Sequence, residues 1–270
     1  HIAKAQSLID IEDRLASVSE VFRLQGAHEL EEAEKRYLPV TRGQAQALIL
    51  AASRGEEFGA LTEEKPKAML TVAGKPLLYR QVDLLREIGI RDITVVRGFH
   101  KETIAAPQLL FVDNDDYAST KEVVSLAKGI IGLAPREKTF VTYGDLLYKK
   151  YIPAMLLEAE GDIVIAADPD WRRSRQQGRY MDFISASESY RKTLFGKTVA
   201  LRAIGPALPE ETVCGEWFGL MIFSTRGLQI AKDTLADLGE REDFAHMRPA
   251  AFFTEILRRG HEVRVVYVSG

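Results

Sequence analysis

The apolar positions of this 270-residue chain change their period near residue 46. Over residues 2 to 38 they recur at helical spacing. Ile2, Ala5, Leu8, Ile9 and Leu15 form one stripe, and Val18, Val21, Phe22, Leu24, Leu30, Ala33 and Tyr37 form a second. This spacing predicts two amphipathic helices, closed by Pro39. Glu29, Glu31, Glu32 and Glu34 precede Lys35 and Arg36, the order that the helix macrodipole favours. The segment holds no candidate chemistry, so residues 1–40 read as a helical extension and residues 41–270 as the main domain.

Beyond residue 46 the pattern becomes short apolar runs separated by polar or helical stretches. Strands are predicted at Ala47 to Ala51, Ile93 to Val96, Leu109 to Val112, Thr139 to Tyr143, Ile163 to Ala167, Thr198 to Ile204, Trp217 to Phe223 and Val263 to Val268. After Pro76, Leu77, Leu78, Val82, Leu85 and Ile88 recur at helical spacing until Gly89 stops the pattern. Leu228 to Leu238 and Phe252 to Leu257 also read as helices. Strand and helix in alternation require crossover connections, which build an α/β domain: a mostly parallel sheet flanked by helices on both faces. Asp170 to Gly178 is polar and aperiodic, and reads as a surface loop.

Composition narrows the function classes. With 46% hydrophobic and 28% charged residues the chain is globular, not disordered. Lys and Arg number 36 against 39 Asp and Glu, a formal charge of −3, and no basic run tracks a nucleic-acid backbone. The longest uninterrupted apolar run, Ala47 to Ala52, is too short to cross a membrane. The one cysteine, Cys214, has no internal partner, which suits a reducing compartment and makes the cytoplasm the expected location. His100, His246 and His261 show no metal-ligand spacing and read as surface residues. Nothing in the pattern specifies an oligomeric state.

The candidate chemistry begins where the first predicted strand ends. Leu50-Ala-Ala-Ser-Arg-Gly55 is a loop of small residues whose backbone N–H groups can approach a polyphosphate, and Lys65 and Lys67 follow as positive charges. An anion cradle at the carboxyl end of a parallel strand is where open α/β sheets bind ligands. The segment is neither a Walker A loop nor a Gly-x-Gly-x-x-Gly dinucleotide turn.

With its continuation, Lys65-Pro-Lys-Ala-Met-Leu-Thr-Val-Ala-Gly-Lys-Pro-Leu-Leu and, after a helix, Gly89-Ile-Arg-Asp-Ile-Thr-Val-Val-Arg-Gly-Phe, this segment resembles the sugar-phosphate nucleotidyltransferases. The resemblance implies a nucleotide-diphospho-sugar transferase type of Rossmann-like fold. It also implies that a Leu-Ala-Ala-Gly-x-Gly-x-Arg loop and a Pro-Lys lysine hold the triphosphate. Here those positions are Leu50, Ala51, Ala52, Ser53, Arg54, Gly55 and Lys67. Ser53 stands where the family has Gly and Glu57 where it has Arg, so a cationic contact is missing or supplied by Arg54, Lys65 or a metal.

Asn114-Asp-Asp-Tyr-Ala-Ser-Thr-Lys-Glu-Val-Val-Ser-Leu resembles the base-reading segment of cytidylyltransferases acting on phosphocholine and phosphonates, with Lys121 in place of an Asn. The resemblance implies nucleotide contacts from Asn114, Ser119, Thr120 and Ser125. Asp145, in Thr142-Tyr-Gly-Asp-Leu-Leu, matches the family's Gly-Asp metal ligand and implies Mg2+ as cofactor. A second metal-binding Asp is implied in a Trp-x-Asp-x-Asp-like element after the last strand, beyond Gly270. Gly215-Glu-Trp-Phe-Gly resembles the strand lining the acceptor pocket, implying Glu216 and Trp217 there, with Tyr143 nearby.

Ser17 to Pro39 resembles the carboxyl-terminal tail of phosphoenolpyruvate mutases, some of which are fused to a cytidylyltransferase. This implies the second half of such a fusion, without mutase activity in these residues. The resulting expectation is an enzyme transferring CMP from CTP to a small phosphonate such as 2-hydroxyethylphosphonate or 2-aminoethylphosphonate. Lys67 and Asp145 are its catalytic residues, and no nucleic acid or membrane is a partner. The alternatives are a phosphocholine or sugar-1-phosphate nucleotidyltransferase, and a non-catalytic nucleotide-binding regulatory domain.

Overall fold

The computed structural model describes residues 44–174 and 180–268. The two helices expected over residues 2 to 38 lie outside them. In chain order the strands are β1 (Ala45–Ala51), β2 (Thr71–Val72), β3 (Lys75–Pro76), β4 (Asp92–Arg97), β5 (Leu110–Asp113), β6 (Lys138–Tyr143), β7 (Ile163–Asp168), β8 (Asp182–Ala186), β9 (Thr198–Gly205), β10 (Gly215–Ser224) and β11 (Arg264–Tyr267). The helices are α1 (Leu77–Glu87), α2 (Glu122–Ile131), α3 (Tyr151–Glu158), α4 (Trp171–Ser174), α5 (Thr225–Gly239) and α6 (Pro249–Arg258). Each strand expected from the apolar runs is present, its ends shifted by a residue or two.

Nine strands form one sheet in the order β5-β4-β1-β6-β10-β7-β11-β9-β8, while β2 and β3 form a separate hairpin. β5, β4, β1 and β6 run parallel, as do β7 and β11. The second half is less parallel than the pattern predicts, because β10 lies antiparallel between β6 and β7 and β8 and β9 return antiparallel. A crossover through α1 carries the chain from β1 to β4 on one side, and α2 later returns it to β6 on the other. The strand order therefore reverses at β1, and a crevice opens beyond its carboxyl end.

Alternate residues of β1 feed the two cores. Leu48 packs with Leu126, Ile130, Leu235 and Phe252 of α2, α5 and α6, whereas Ala47 and Ile49 pack with Leu78, Leu85 and Met155 of α1 and α3 on the opposite face. Burial on both faces explains why β1 reads as a continuous apolar run and not an alternating one. The periodicity missed α3 because seven of its eight residues are buried, leaving no polar stripe to mark it. Among the described residues no helix is long and apolar enough to cross a membrane.

The reading of Asp170 to Gly178 as a polar surface loop needs correction. Trp171 begins the short helix α4, is only 2% exposed, and meets Phe183 edge-on with ring centroids 5.0 Å apart. Burying an indole outweighs the polarity of its neighbours, so Trp171 is a core residue and its arginines are left outside. Residues 175–179 lie outside the described set.

Gly219 sits at a register shift in β10, with φ at +106°, and the Tyr143 ring of β6 lies against its α-carbon. Any side chain here adopts a strained backbone and collides with that ring. Gly219→Ala is expected to lower stability by about 3 kcal/mol, measured as a fall in the urea midpoint at unchanged slope.

Candidate active site

The loop after β1 is built to hold its backbone in one shape. Gly55 takes φ +80°, and a β-carbon there would stand 2.7 Å from the Lys67 β-carbon, so the lysine stem lies directly against the glycine. The buried Thr62 hydroxyl donates to the Gly55 carbonyl at 2.8 Å, and Phe58 N–H donates to the same oxygen at 3.0 Å. Lys67 N–H donates to the Arg54 carbonyl at 3.0 Å, which ties the Pro-Lys segment to the loop. Ends of neighbouring strands clamp the same stretch: Gly144 N–H donates to the Leu50 carbonyl and Phe99 N–H to the Ala52 carbonyl, at 2.9 and 3.0 Å.

These contacts bring Lys67 and Asp145, 78 positions apart, to an Nζ–Oδ2 distance of 3.1 Å. Glu57 approaches the same ammonium at 3.8 Å. Burial alone draws the Lys67 pKa down, but the carboxylates of Asp145 and Glu57 outweigh it and hold the group above its ordinary value. Lys67 is therefore charged at neutral pH. The three side chains edge a cavity of about 390 Å3, within the usual range for small-molecule sites.

Of the residues expected to bind nucleotide, Leu50, Ala52, Ser53, Arg54, Gly55, Lys67, Thr120 and Ser125 line this cavity. Ala51 points into the core on the α1 face. Asn114 does not reach the wall. It is 1% exposed, and its amide donates to Thr120 Oγ1 at 3.1 Å and Ser125 Oγ at 3.0 Å. It orients the two hydroxyls that do line the cavity, and its own Oδ1 is buried without a partner. Ser119 turns away to donate to the Asp116 carbonyl. Lys65 is not among the lining residues, whereas Arg54 is, its guanidinium 5.3 Å from the Phe99 ring centroid.

Among the acceptor residues, Tyr143 lines the cavity, and burial raises its pKa well above the ordinary value. Trp217 does not. It is 2% exposed, its indole N–H donates to the Leu220 carbonyl at 2.8 Å, and its ring meets Tyr143 and Phe253 edge-on. Glu216 is 3% exposed and likewise absent from the wall. Both belong to β10, and of the three residues expected on the acceptor side only Tyr143 lines the cavity.

Sequence reasoning overlooked several residues. Phe99 and Tyr117 line the cavity and meet edge-on at 5.9 Å, and Lys121 and Glu122 face it from the start of α2. Gln81 of α1 is 2% exposed, and its amide donates at 2.8 Å to the carbonyls of Tyr143 and Leu146, which bracket Asp145. A polar residue on the apolar face of a helix was the available signal for Gln81. The aromatics carried none, being separated in sequence from the loop they approach.

For a divalent cation, the donor set is sparse: among the described residues no cluster of three or more His, Cys, Asp or Glu could enclose a metal. Asp145 nevertheless offers a hard, partly exposed carboxylate beside an anion cradle. This fits Mg2+, which takes one or two carboxylates and completes its shell with phosphate oxygens and water.

Gln81→Leu would leave two carbonyls without their donor and loosen Asp145. It is expected to cost about 2–3 kcal/mol in urea denaturation and to reduce turnover as well. Asp182, which opens β8 opposite Trp217, is 8% exposed with Oδ1 unpartnered. Burial, aided by Glu122 and Glu216, pushes its pKa up to about 6 against the opposing Tyr180 hydrogen bond and Arg248 charge. Below its ordinary value of 3.8 the group is protonated whether folded or not; between there and about 6 the unfolded chain releases the proton first, and the fold loses stability as pH rises. Asp182→Asn should therefore match wild type at pH 4 and exceed it by about 1–3 kcal/mol at pH 8 in urea titrations.

Comparison with known proteins places the chain in a family. The MobA-like NTP transferase domain matches residues 47–244. The chain is 32% identical over 107 residues to a bifunctional sugar-1-phosphate nucleotidylyltransferase/acetyltransferase of Sulfurisphaera tokodaii, covering 38% of this chain and only 25% of that protein. It is 24% identical over 239 residues to the CTP:phosphoglutamine cytidylyltransferase of Campylobacter jejuni, covering 83% of this chain and 92% of that one. The solved CTP:phosphocholine cytidylyltransferase of Streptococcus pneumoniae superposes with a TM-score of 0.62 at 20% identity, over 84% of this chain and 91% of that one. With the family matched across most of its length, the chain belongs to the MobA-like NTP transferases.

Proposed function

We propose that the protein transfers CMP from CTP to a small phosphonate, of the 2-hydroxyethylphosphonate or 2-aminoethylphosphonate type, with release of pyrophosphate. The observation that carries this reading is the 3.1 Å approach of Lys67 and Asp145 at the mouth of a backbone-lined anion cradle. CTP is favoured by the resemblance around Asn114 to Ser125 and by the cytidylyltransferases among the relatives. Among the described residues the Ser125 hydroxyl, already accepting from Asn114, has no acceptor of its own, so it offers a proton to a base carbonyl or ring nitrogen. The phosphonate is favoured by the resemblance of Ser17 to Pro39 to mutase tails, in a segment outside the described residues. A fused mutase would then supply the carbon–phosphorus bond, and the single cysteine suits a reducing cytoplasm.

In this reaction an oxygen of the phosphonate attacks the α-phosphorus of CTP and forms the new P–O bond. The bond from that phosphorus to the bridging oxygen breaks, and pyrophosphate leaves with the electron pair. The attacking oxygen is already anionic near neutral pH, so no general base is needed, and catalysis reduces to alignment and charge neutralisation. The Lys67 ammonium offsets charge on the transferred and departing groups. The loop N–H groups orient the phosphates, and Tyr143 walls the acceptor side. Mg2+, held by Asp145, would supply further neutralisation of the phosphates.

A second reading, phosphocholine or a related phosphate monoester as acceptor, is favoured by the substrates named for the cytidylyltransferase relatives. Pyrophosphate release with CTP across 2-hydroxyethylphosphonate, 2-aminoethylphosphonate, phosphocholine and glucose 1-phosphate discriminates the two. A phosphonate is expected to give the highest kcat/KM, and preference for a phosphate ester would overturn the first reading. Lys67→Ala or Asp145→Ala should lower turnover on the order of 10²-fold or more. Turnover within tenfold of wild type would remove that residue from the machinery.

A further inference from the structure

Around the cavity, positive charge is scarcer than a polyphosphate site calls for. Arg54, Lys67 and Lys121 supply its cationic side chains. Glu56, Glu57, Glu122 and Asp145 supply its anionic ones. Glu122 lies 3.6 Å from Arg248 and is partly offset from outside, which still leaves the wall no better than neutral. Lys67 is in addition engaged on two sides, by Asp145 at 3.1 Å and Glu57 at 3.8 Å.

These two carboxylates are not equivalent. The Asp145 side chain is 22% exposed and clamped by Gln81 through its flanking carbonyls. The Glu57 side chain is 62% exposed at the start of a seven-residue 3-10 segment kinked at Gly59, and faces solvent on its open side. A phosphate group reaching Lys67 must take the place of Glu57 or tolerate its charge nearby. A like charge at such a distance weakens binding of a bare triphosphate. The penalty falls sharply when a divalent cation already neutralises part of the phosphate charge.

We infer that Glu57 is a specificity-determining residue: by competing for Lys67 and cancelling the positive charge of the cradle, it makes the site reject uncomplexed polyphosphate and accept the metal complex. The inference rests on the reading of this cavity as a triphosphate site, and does not depend on which base or acceptor is used. Glu56 lines the same wall but makes no ion pair with Lys67, so the effect belongs to Glu57. The charge order at this position, Glu, Gln, Arg, should rank the affinity for uncomplexed polyphosphate.

Calorimetric binding to the full chain tests it with two probes, CTP and inorganic tripolyphosphate, each in EDTA and in excess Mg2+. In EDTA, Glu57→Gln is expected to bind both probes on the order of tenfold more tightly than wild type, and Glu57→Arg more tightly still. In Mg2+ the differences should largely close. Because Glu57 is exposed, thermal melts should be unchanged, which separates the effect from misfolding. Equal affinities in EDTA, or an equal gain with and without Mg2+, would overturn the role of Glu57 while leaving the triphosphate site standing. Failure of wild type to bind either probe even in Mg2+ would overturn both.

Discussion

The site depends on one apposition, the Lys67 ammonium against the Asp145 carboxylate, and much of the surrounding structure serves to keep it. Asp145 lies beyond the end of β6 and Lys67 opens a single 3-10 turn (Lys67–Met69), so neither is positioned by a long strand or helix of its own. Asp145 is fixed because β6 pairs with β1 in the register that sets Tyr143 opposite Leu50, because Gly144 continues that ladder, and because Gln81 reaches across from α1. Lys67 is fixed because its N–H returns to Arg54 and its stem lies on Gly55. A partly exposed pair of this kind adds little to stability. Its worth is positional, since in the proposed reaction the two groups stand where phosphate charge would be neutralised.

Around that pair the walls divide the work. The glycine-bearing loop supplies backbone donors, α2 and the turn before it supply hydroxyls and a charged pair, and Tyr143 closes the inner side. Asn114 and Gln81 act one layer back, each using a buried amide to hold groups that face the cavity. Buried amides do this well because leaving their partners unsatisfied is costly, so the geometry is held stiffly. Gly219 has a comparable supporting role, letting Tyr143 lie flush against β10 where any larger residue would push it outward.

Several features were legible in the chain because their causes are local. Strands buried on both faces announce themselves as apolar runs, and α1 carries a proline before it and a glycine after it. The loop motif shows through its small residues and its lysines. Features with non-local causes were not legible. α3 has no polar face to give it a period, Trp171 is buried through Phe183 in a strand that comes later, and Trp217 is excluded from the cavity by Tyr143, 74 positions before it. Asn114 was read as a nucleotide contact and lies one layer behind the cavity wall, a depth that no spacing encodes.

By itself, the sequence determined the α/β class and the loop of small residues followed by lysines at the end of the first strand, since each follows from residue type and short-range pattern, while Lys67 and Asp145 were singled out by their resemblance to a known family's motifs. Only the tertiary structure decided which side chains face the cavity, that Glu57 shares Lys67 with Asp145, and that Gln81 anchors the loop between β6 and α3. Those outcomes depend on strand register and on the burial of groups far apart in the chain, and an ion pair across 78 residues exists only once the sheet between them has closed.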